Sequence, residues 1–134
     1  KKRRSTGNLL FERHGDVEVA ASRPTPRLPY KMFDGTRDVL AFTDSWGKNK
    51  FYEISFPKPD FIPTFSRVRI YGHNLGTPVF KIRKRGKWLT PEPKKTSTEK
   101  YMVEYDFGED LRTVKLRIEF QKSKLELYEI ELHK

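Results

Sequence analysis

The sequence contains no cysteine. That removes disulfide staples, zinc-finger ligand spacing and thiol nucleophiles in one step. It fits a bacterial or intracellular chain better than an animal extracellular module. No apolar run approaches 18 residues, so no transmembrane helix is expected. No signal peptide is visible, and the chain opens on Lys1 rather than Met, which reads as a piece of something longer. No segment sustains a helical period of apolar residues. Histidine is scarce: His14 lies near the start, His73 in a turn cluster, and His133 is penultimate. There is no nucleophile-elbow serine motif, no two-histidine zinc-protease motif and no phosphate-cradling glycine loop, so catalysis has little support.

What is present has the size of one domain. The chain has 134 residues, of which 35% are hydrophobic and 13% aromatic, with 10 Phe and 6 Tyr. This is enough for a single core built on aromatic and β-branched side chains. The net charge is +10, from 28 Lys and Arg against 18 Asp and Glu. Such an excess favours anionic partners (nucleic acid, acidic glycans or acidic membrane), and it also serves plain solubility. Residues 1–10, opening on KKRRSTGN, read as a flexible basic tail or linker remnant, and residues 11–134 as the folded domain.

Along the domain the dominant signal is period-2 alternation. Val17 to Ala21 alternates and runs into RPTPRLPY, whose prolines exclude a helix or a central strand. Phe51 to Phe56 places Tyr52, Ile54 and Phe56 on one face. Val68 and Ile70 point inward, as do Phe80 and Ile82. Tyr101 to Phe107 places Val103, Tyr105 and Phe107 together. The clearest run sets Val114, Leu116, Ile118 and Phe120 against Lys115, Arg117 and Glu119. Tyr128, Ile130 and Leu132 close the chain on one face. Asp34-Gly35, Gly72 to Gly76, Arg85-Gly86 and Gly108 to Asp110 read as turns, and Pro91 to Lys100 as a polar surface loop. Seven or eight short strands, each with one apolar face, predict an all-β fold: two packed antiparallel sheets in a β-sandwich or jelly roll.

The ordered set VEVAAS, Phe33-Asp34-Gly35, Thr43, Trp46, FYEISFPKP, FSRVRIYGHN, VFKIRKRGKWLT, RTVKLRIEF and LELYEIEL resembles a discoidin, or coagulation factor 5/8 type C, domain. The bacterial relatives of that galactose-binding-like family are the family 32 carbohydrate-binding modules. The likeness runs from about Val17 to His133. The chain departs from the pattern at Arg85-Gly86, where Asp-Gly is usual, and at Pro57-Lys58-Pro59, where leucine-glycine is usual. With the terminal cysteines also absent, these departures point away from the animal cell-surface branch.

The resemblance implies a structural Ca²⁺ held by the loop around Gly35 and the last strand. Asp34 and Asp38 are hard oxygen donors in that loop, with Thr43 and Glu129 as remote donors. The plainer reading is that Asp34 caps its turn and Asp38 is solvated. A sugar site needs an aromatic platform and a few planar polar groups. The candidates are His73 and Asn74 in a strand-end turn, with Trp46 and Arg23 in loops that the resemblance places near one rim. Against these stand an ordinary turn for His73 and Asn74, and core packing for Trp46 and also for Trp88. Arg67, Arg69, Lys81, Arg83, Arg85, Lys115 and Arg117 occupy outward strand positions and would form one cationic face if their strands share a sheet. That face could grip phosphates or sulfates, or simply be a solvated surface protected against edge pairing.

The resemblance implies a non-catalytic carbohydrate-binding module that targets a larger, secreted or periplasmic bacterial protein to glycans. Two other readings remain: an intracellular protein-interaction or scaffold module, and a binder of nucleic acid or anionic membrane through the basic face.

Overall fold

A computed structural model describes residues 17–22, 42–44, 50–122 and 124–134; of 42–44 it describes the backbone. The basic tail, the Asp34-Gly35 turn and the proline run after Arg23 lie outside the described residues, as do Asp38 and Trp46.

The alternating segments form strands as their pattern predicts. In chain order they are β1 (Glu18–Ala21), β2 (Phe42–Asp44), β3 (Lys50–Ser55), β4 (Thr64–His73), β5 (Val79–Lys84), β6 (Lys87–Leu89), β7 (Lys95–Glu99), β8 (Met102–Arg112), β9 (Lys115–Phe120) and β10 (Leu125–His133). Among the described residues all pairings are antiparallel and build two five-stranded sheets. The first has the order β1-β3-β9-β5-β6 and the second β2-β10-β4-β8-β7. The fold is the expected antiparallel β-sandwich.

The core lies between the sheets. β3, β5 and β9 contribute Tyr52, Ile54, Phe80, Ile82, Leu116, Ile118 and Phe120 from one side. β4, β8 and β10 contribute Phe65, Val68, Ile70, Tyr105, Phe107, Ile130 and Leu132 from the other. Phe80 joins the layers, its ring centroid 4.9 Å from Tyr105 and 5.2 Å from Phe107, the latter edge-to-face. Removing such a ring from water contributes about 1.5–3 kcal/mol, plus about 0.5–1.5 kcal/mol for a favourable aromatic pairing.

The structure departs from the sequence reading at five places. Lys95–Glu99, read as loop, is the edge strand β7; all five residues are exposed, so no apolar face marks it. Gly108 to Asp110, read as a turn, is instead a bulge within β8. Phe65 pairs with Leu111 but Arg67 with Asp106, and Gly108 has φ 73°. The Asp106 carboxylate accepts a 2.9 Å hydrogen bond from the Gly108 N–H and fixes that bulge. A second bulge between Leu127 and Glu129 in β10 shifts the phase of the last strand. Leu127 and Ile130 are therefore both in the core, and Tyr128 is not among the core residues. Val114, expected inward, lies between β8 and β9 and is 45% exposed. Trp88, expected in the core, lies on the edge strand β6 and is 38% exposed.

Thr113 ties down one end of the sandwich. Its buried hydroxyl accepts from the Arg83 and Lys115 N–H groups at 2.9 and 3.1 Å, and lies 2.8 Å from both of their carbonyls. The single hydroxyl proton can be donated to one carbonyl at a time.

At the other end, Gly72 lets β4 approach β10. A Cβ at Gly72 would meet the Glu126 carbonyl oxygen at 2.1 Å, a backbone atom that cannot swing aside. Gly72→Ala is expected to destabilise the protein by about 1–3 kcal/mol through overpacking, read as a lower denaturant midpoint. An unchanged midpoint would refute the close approach. Burial also pushes the Tyr105 phenol from 10.0 up to about 12 and raises Tyr52 further. The unfolded chain therefore loses these protons at lower pH than the folded one, so stability is full below about pH 10 and falls as pH rises towards 12. In an alkaline titration, tyrosinate absorbance from these two groups should rise together with the loss of β-sheet circular dichroism.

Candidate functional site

The two ends of the sandwich are built differently. β4 ends at His73, and the chain turns through Asn74, whose φ of 61° is left-handed. Asn tolerates that conformation better than most residues. The Asn74 side-chain amide donates a 2.9 Å hydrogen bond to the Lys124 carbonyl and pins this turn to the start of β10. Tyr101, between β7 and β8, is also left-handed (φ 64°), and its carbonyl accepts a 2.9 Å bond from the Gly72 N–H.

These constraints assemble an aromatic group at the strand end. The His73 ring lies edge-to-face with Tyr101 at 4.9 Å and with Tyr128 at 5.4 Å. Tyr101 is 50% exposed, and the Lys100 ammonium sits 5.3 Å from its ring centre. Partial desolvation, then the nearby Glu126 and Tyr101, push the Tyr128 phenol up from its usual range, so it remains a neutral donor at ordinary pH. A shallow hollow of about 310 Å³ opens beside the group, bounded by His73, Asn74, Glu99, Tyr101 and Lys122. His73 and Asn74 are thus brought together as the sequence suggested. Arg23 and Trp46 lie outside the described residues. Tyr101 and Tyr128 were missed: Tyr101 reads as the first residue of an alternating strand, and Tyr128 as an inward position until the bulge is known.

Of the metal candidates, Thr43 lies on β2, its backbone opposite Glu126 of β10. Glu129 is three residues further along β10 and wholly buried. It supplies the kind of oxygen that Ca²⁺ takes. Asp34 and Asp38 lie outside the described residues. Among the described residues no group of three or more His, Cys, Asp or Glu is placed to hold a metal.

The single basic face does not form. Arg67 and Arg69 lie on β4 in one sheet, whereas Lys81, Arg83, Lys115 and Arg117 lie on β5 and β9 in the other. Most of these charges also meet carboxylates. Arg69 Nε donates to Glu104 at 2.7 Å, and its Nη1 lies 3.9 Å from Glu131. Burial works against the Arg69 charge, but the hydrogen bond and charge of Glu104 outweigh it and raise its pKa. Arg67 lies 3.7 Å from Glu104 and also reaches the Lys134 carbonyl. Arg117 bridges Glu53 at 3.2 Å and Glu119 at 3.0 Å, with its guanidinium 3.9 Å from the Phe51 ring centre. Lys115 meets Glu53 at 3.5 Å and Lys81 meets Glu119 at 3.2 Å. Arg83 differs: its guanidinium lies 5.2 Å from the Trp88 ring centre.

By sequence, no family model matches the chain and no curated protein matches it. By structure, the sandwich is of the type found in glycan-binding modules. CpGH89CBM32-6 of Clostridium perfringens superposes with a TM-score of 0.73 at 14% identity, covering 95% of this chain and 98% of that one. The family 32 module of C. perfringens NanJ, solved with galactose, gives 0.65 at 11% identity over 88% and 93%. Chitosan-binding module 2 of the Paenibacillus sp. IK-5 chitosanase/glucanase, solved with chitotriose, gives 0.67 at 13% identity over 89% and 97%. The likeness establishes the fold: the antiparallel β-sandwich that these modules share.

Proposed function

We propose that this chain is a non-catalytic carbohydrate-binding module that docks a larger protein onto glycans through the His73–Asn74–Tyr101 end. The observation that carries this reading is the half-exposed Tyr101 ring beside His73 and Asn74 at the rim of a shallow hollow. A sugar ring needs an apolar platform for its C–H face and directional polar groups for its hydroxyls. Tyr101 is the platform. His73 supplies a ring nitrogen, and the Asn74 amide has hydrogen-bonding capacity beyond its bond to Lys124. Lys100 is long and exposed, so it can move off the ring. The fold supports the reading, because the similar modules were solved with galactose, chitotriose and GalNAc-β-1,3-galactose. A shallow, open hollow suits reversible docking, which raises the local concentration of an attached domain at a polysaccharide. The Ruminococcus gnavus GH29 fucosidase, solved with fucose, is a longer chain of which this fold covers 27%; that is the setting we propose here.

Calorimetric titration with galactose, N-acetylgalactosamine and chitotriose at millimolar concentration is expected to detect binding to at least one of them. Tyr101→Ala and His73→Ala should each weaken it about tenfold, the effect of losing about 1.4 kcal/mol, with the circular dichroism unchanged. No binding by the folded protein to any sugar of a broad glycan array would defeat this function.

We also propose that Glu129 helps hold a structural Ca²⁺ together with Asp34, Asp38 and Thr43. Its support is the place of Glu129, a carboxylate oxygen donor on β10, the strand paired with β2, which carries Thr43. Ca²⁺ at one hundred times its dissociation constant would stabilise the fold by about 2.7 kcal/mol. Chelation should therefore lower the Tm by several degrees, restored by Ca²⁺ but not in Glu129→Gln. A Tm indifferent to chelator and to Ca²⁺ would dismiss the ion.

A further inference from the structure

The opposite end of the sandwich carries a second groove, and its chemistry differs from that of the hollow at His73. It lies where β5 turns into β6 and β8 into β9, and has a volume of about 530 Å³. Five of its nine lining residues are cationic (Arg83, Lys84, Arg85, Lys87 and Arg112), and no carboxylate lines it. The apolar part of its wall is Ile62, Leu89 and Val114. Leu89 is 47% and Val114 45% exposed, unusual for large apolar side chains beside five charges.

We propose that this groove binds an anionic polysaccharide, a sugar chain carrying carboxylate or sulfate groups, at a site separate from the His73 hollow. Three observations carry the inference. The cations on the sheet faces are matched by Glu53, Glu104 and Glu119, whereas among the described residues none of the five groove cations has an ion-pair partner. Five cations thus converge on one groove with no carboxylate in its lining, so the positive field there is locally uncompensated. The groove is also held in shape: Thr113 fixes both the Arg83 and the Lys115 backbone, and Arg83 packs against Trp88. Third, Arg85 and Gly86 form a two-residue hairpin turn with φ of 50° and 76°. Asn, Asp or Gly suits the first position of such a turn better than Arg. An Arg at this strained position adds a cation where the turn's favoured Asp would have added an anion.

The mixed lining selects the ligand. A sugar polyanion brings ring C–H faces to the apolar wall and charged substituents to guanidinium groups that bind them in a bidentate way. A bilayer surface would meet projecting side chains before a recessed wall. Single-stranded nucleic acid binds through exposed aromatic platforms along a basic track, but no aromatic residue lines this groove, and the charge on the flanking sheet faces is paired.

The test is affinity electrophoresis and titration of the folded chain against polygalacturonate, heparin and neutral dextran, with oligo(dT) and phosphatidylserine vesicles as competitors. Polygalacturonate or heparin should bind, dextran should not bind at this end, and affinity should fall as salt rises. Arg85→Glu/Arg112→Glu should reduce binding at least tenfold, and Lys84→Ser/Lys87→Ser should reduce it without reversing charge. All four residues are exposed, so the fold should survive. Tyr101→Ala should leave polyanion binding intact, which separates this site from the neutral-sugar site: either can fail alone. No polyanion binding at low salt, unchanged binding in both folded double variants, or tighter binding to oligo(dT) or to the vesicles would overturn the proposal.

Discussion

The contact between Gly72 and the Glu126 carbonyl governs much of the architecture on the His73 side. β4 and β10 form the centre of their sheet, and at Gly72 a Cβ would lie 2.1 Å from the backbone oxygen of β10. Because the strands close up there, β4 continues in register to His73, opposite Glu126. One step along, β10 accommodates an extra residue in its bulge, and Tyr128 meets the His73 ring. The Gly72 N–H is paired with the Tyr101 carbonyl, which fixes the left-handed turn presenting the second ring. The missing side chain at Gly72 permits the strand contact, and the bulge and the three-ring cluster lie directly beside it. None of these would follow from alternation alone.

The charge distribution has a comparable structural origin. β9 is flanked by β3 and β5, so Arg117 has Glu53 on one side and Lys81 on the other. Like charges directly opposite are unfavourable, and Glu119, two residues on, bonds both Arg117 and Lys81. Partly exposed pairs of this kind contribute about 0–1 kcal/mol each. Their larger effect is to damp the field over the broad faces. At the β5–β6 hairpin the cross-strand neighbours are not acidic: Arg83 faces Trp88 and Lys84 faces Lys87, so the charge there goes unmatched.

The strands with a buried face were legible because alternation records burial directly. Leu116, Ile118 and Phe120 point inward as read, and so do Tyr52, Ile54, Phe80 and Ile82. β7 was not legible: an edge strand exposed on both faces buries nothing, and its sequence KTSTE is that of a loop. The β10 bulge was hidden because an inserted residue looks like any other residue in the alternation. Outward cations could be identified, but not the sheet each belonged to, since strand order depends on long-range pairing. Of the proposed site, the turn at His73 and Asn74 was legible from its residue chemistry. The exposed placement of Tyr101 was not, because it depends on a left-handed backbone at a non-glycine residue. The resemblance identified the fold at identities where sequence comparison alone matches nothing, because several weak strand and turn signals in the right order constrain topology more than any one of them.

The separation of the two ends constrains how they could act together. β4 runs between them for ten residues, which at about 3.3 Å per residue is roughly 30 Å. No single sugar spans that distance, so a mono- or disaccharide reports on one end only. Only a polymer that carries both neutral and charged sugars would engage both proposed sites, and the second contact would then be intramolecular, governed by effective concentration rather than by any coupling through the core. The packed layer of Phe80, Tyr105 and Phe107 between the ends favours that additive behaviour, since close-packed interiors resist continuous deformation. For such a mixed polymer the two proposed sites predict an affinity that rises with length beyond the span of one groove, while a purely neutral or purely anionic oligomer gains nothing from the opposite end.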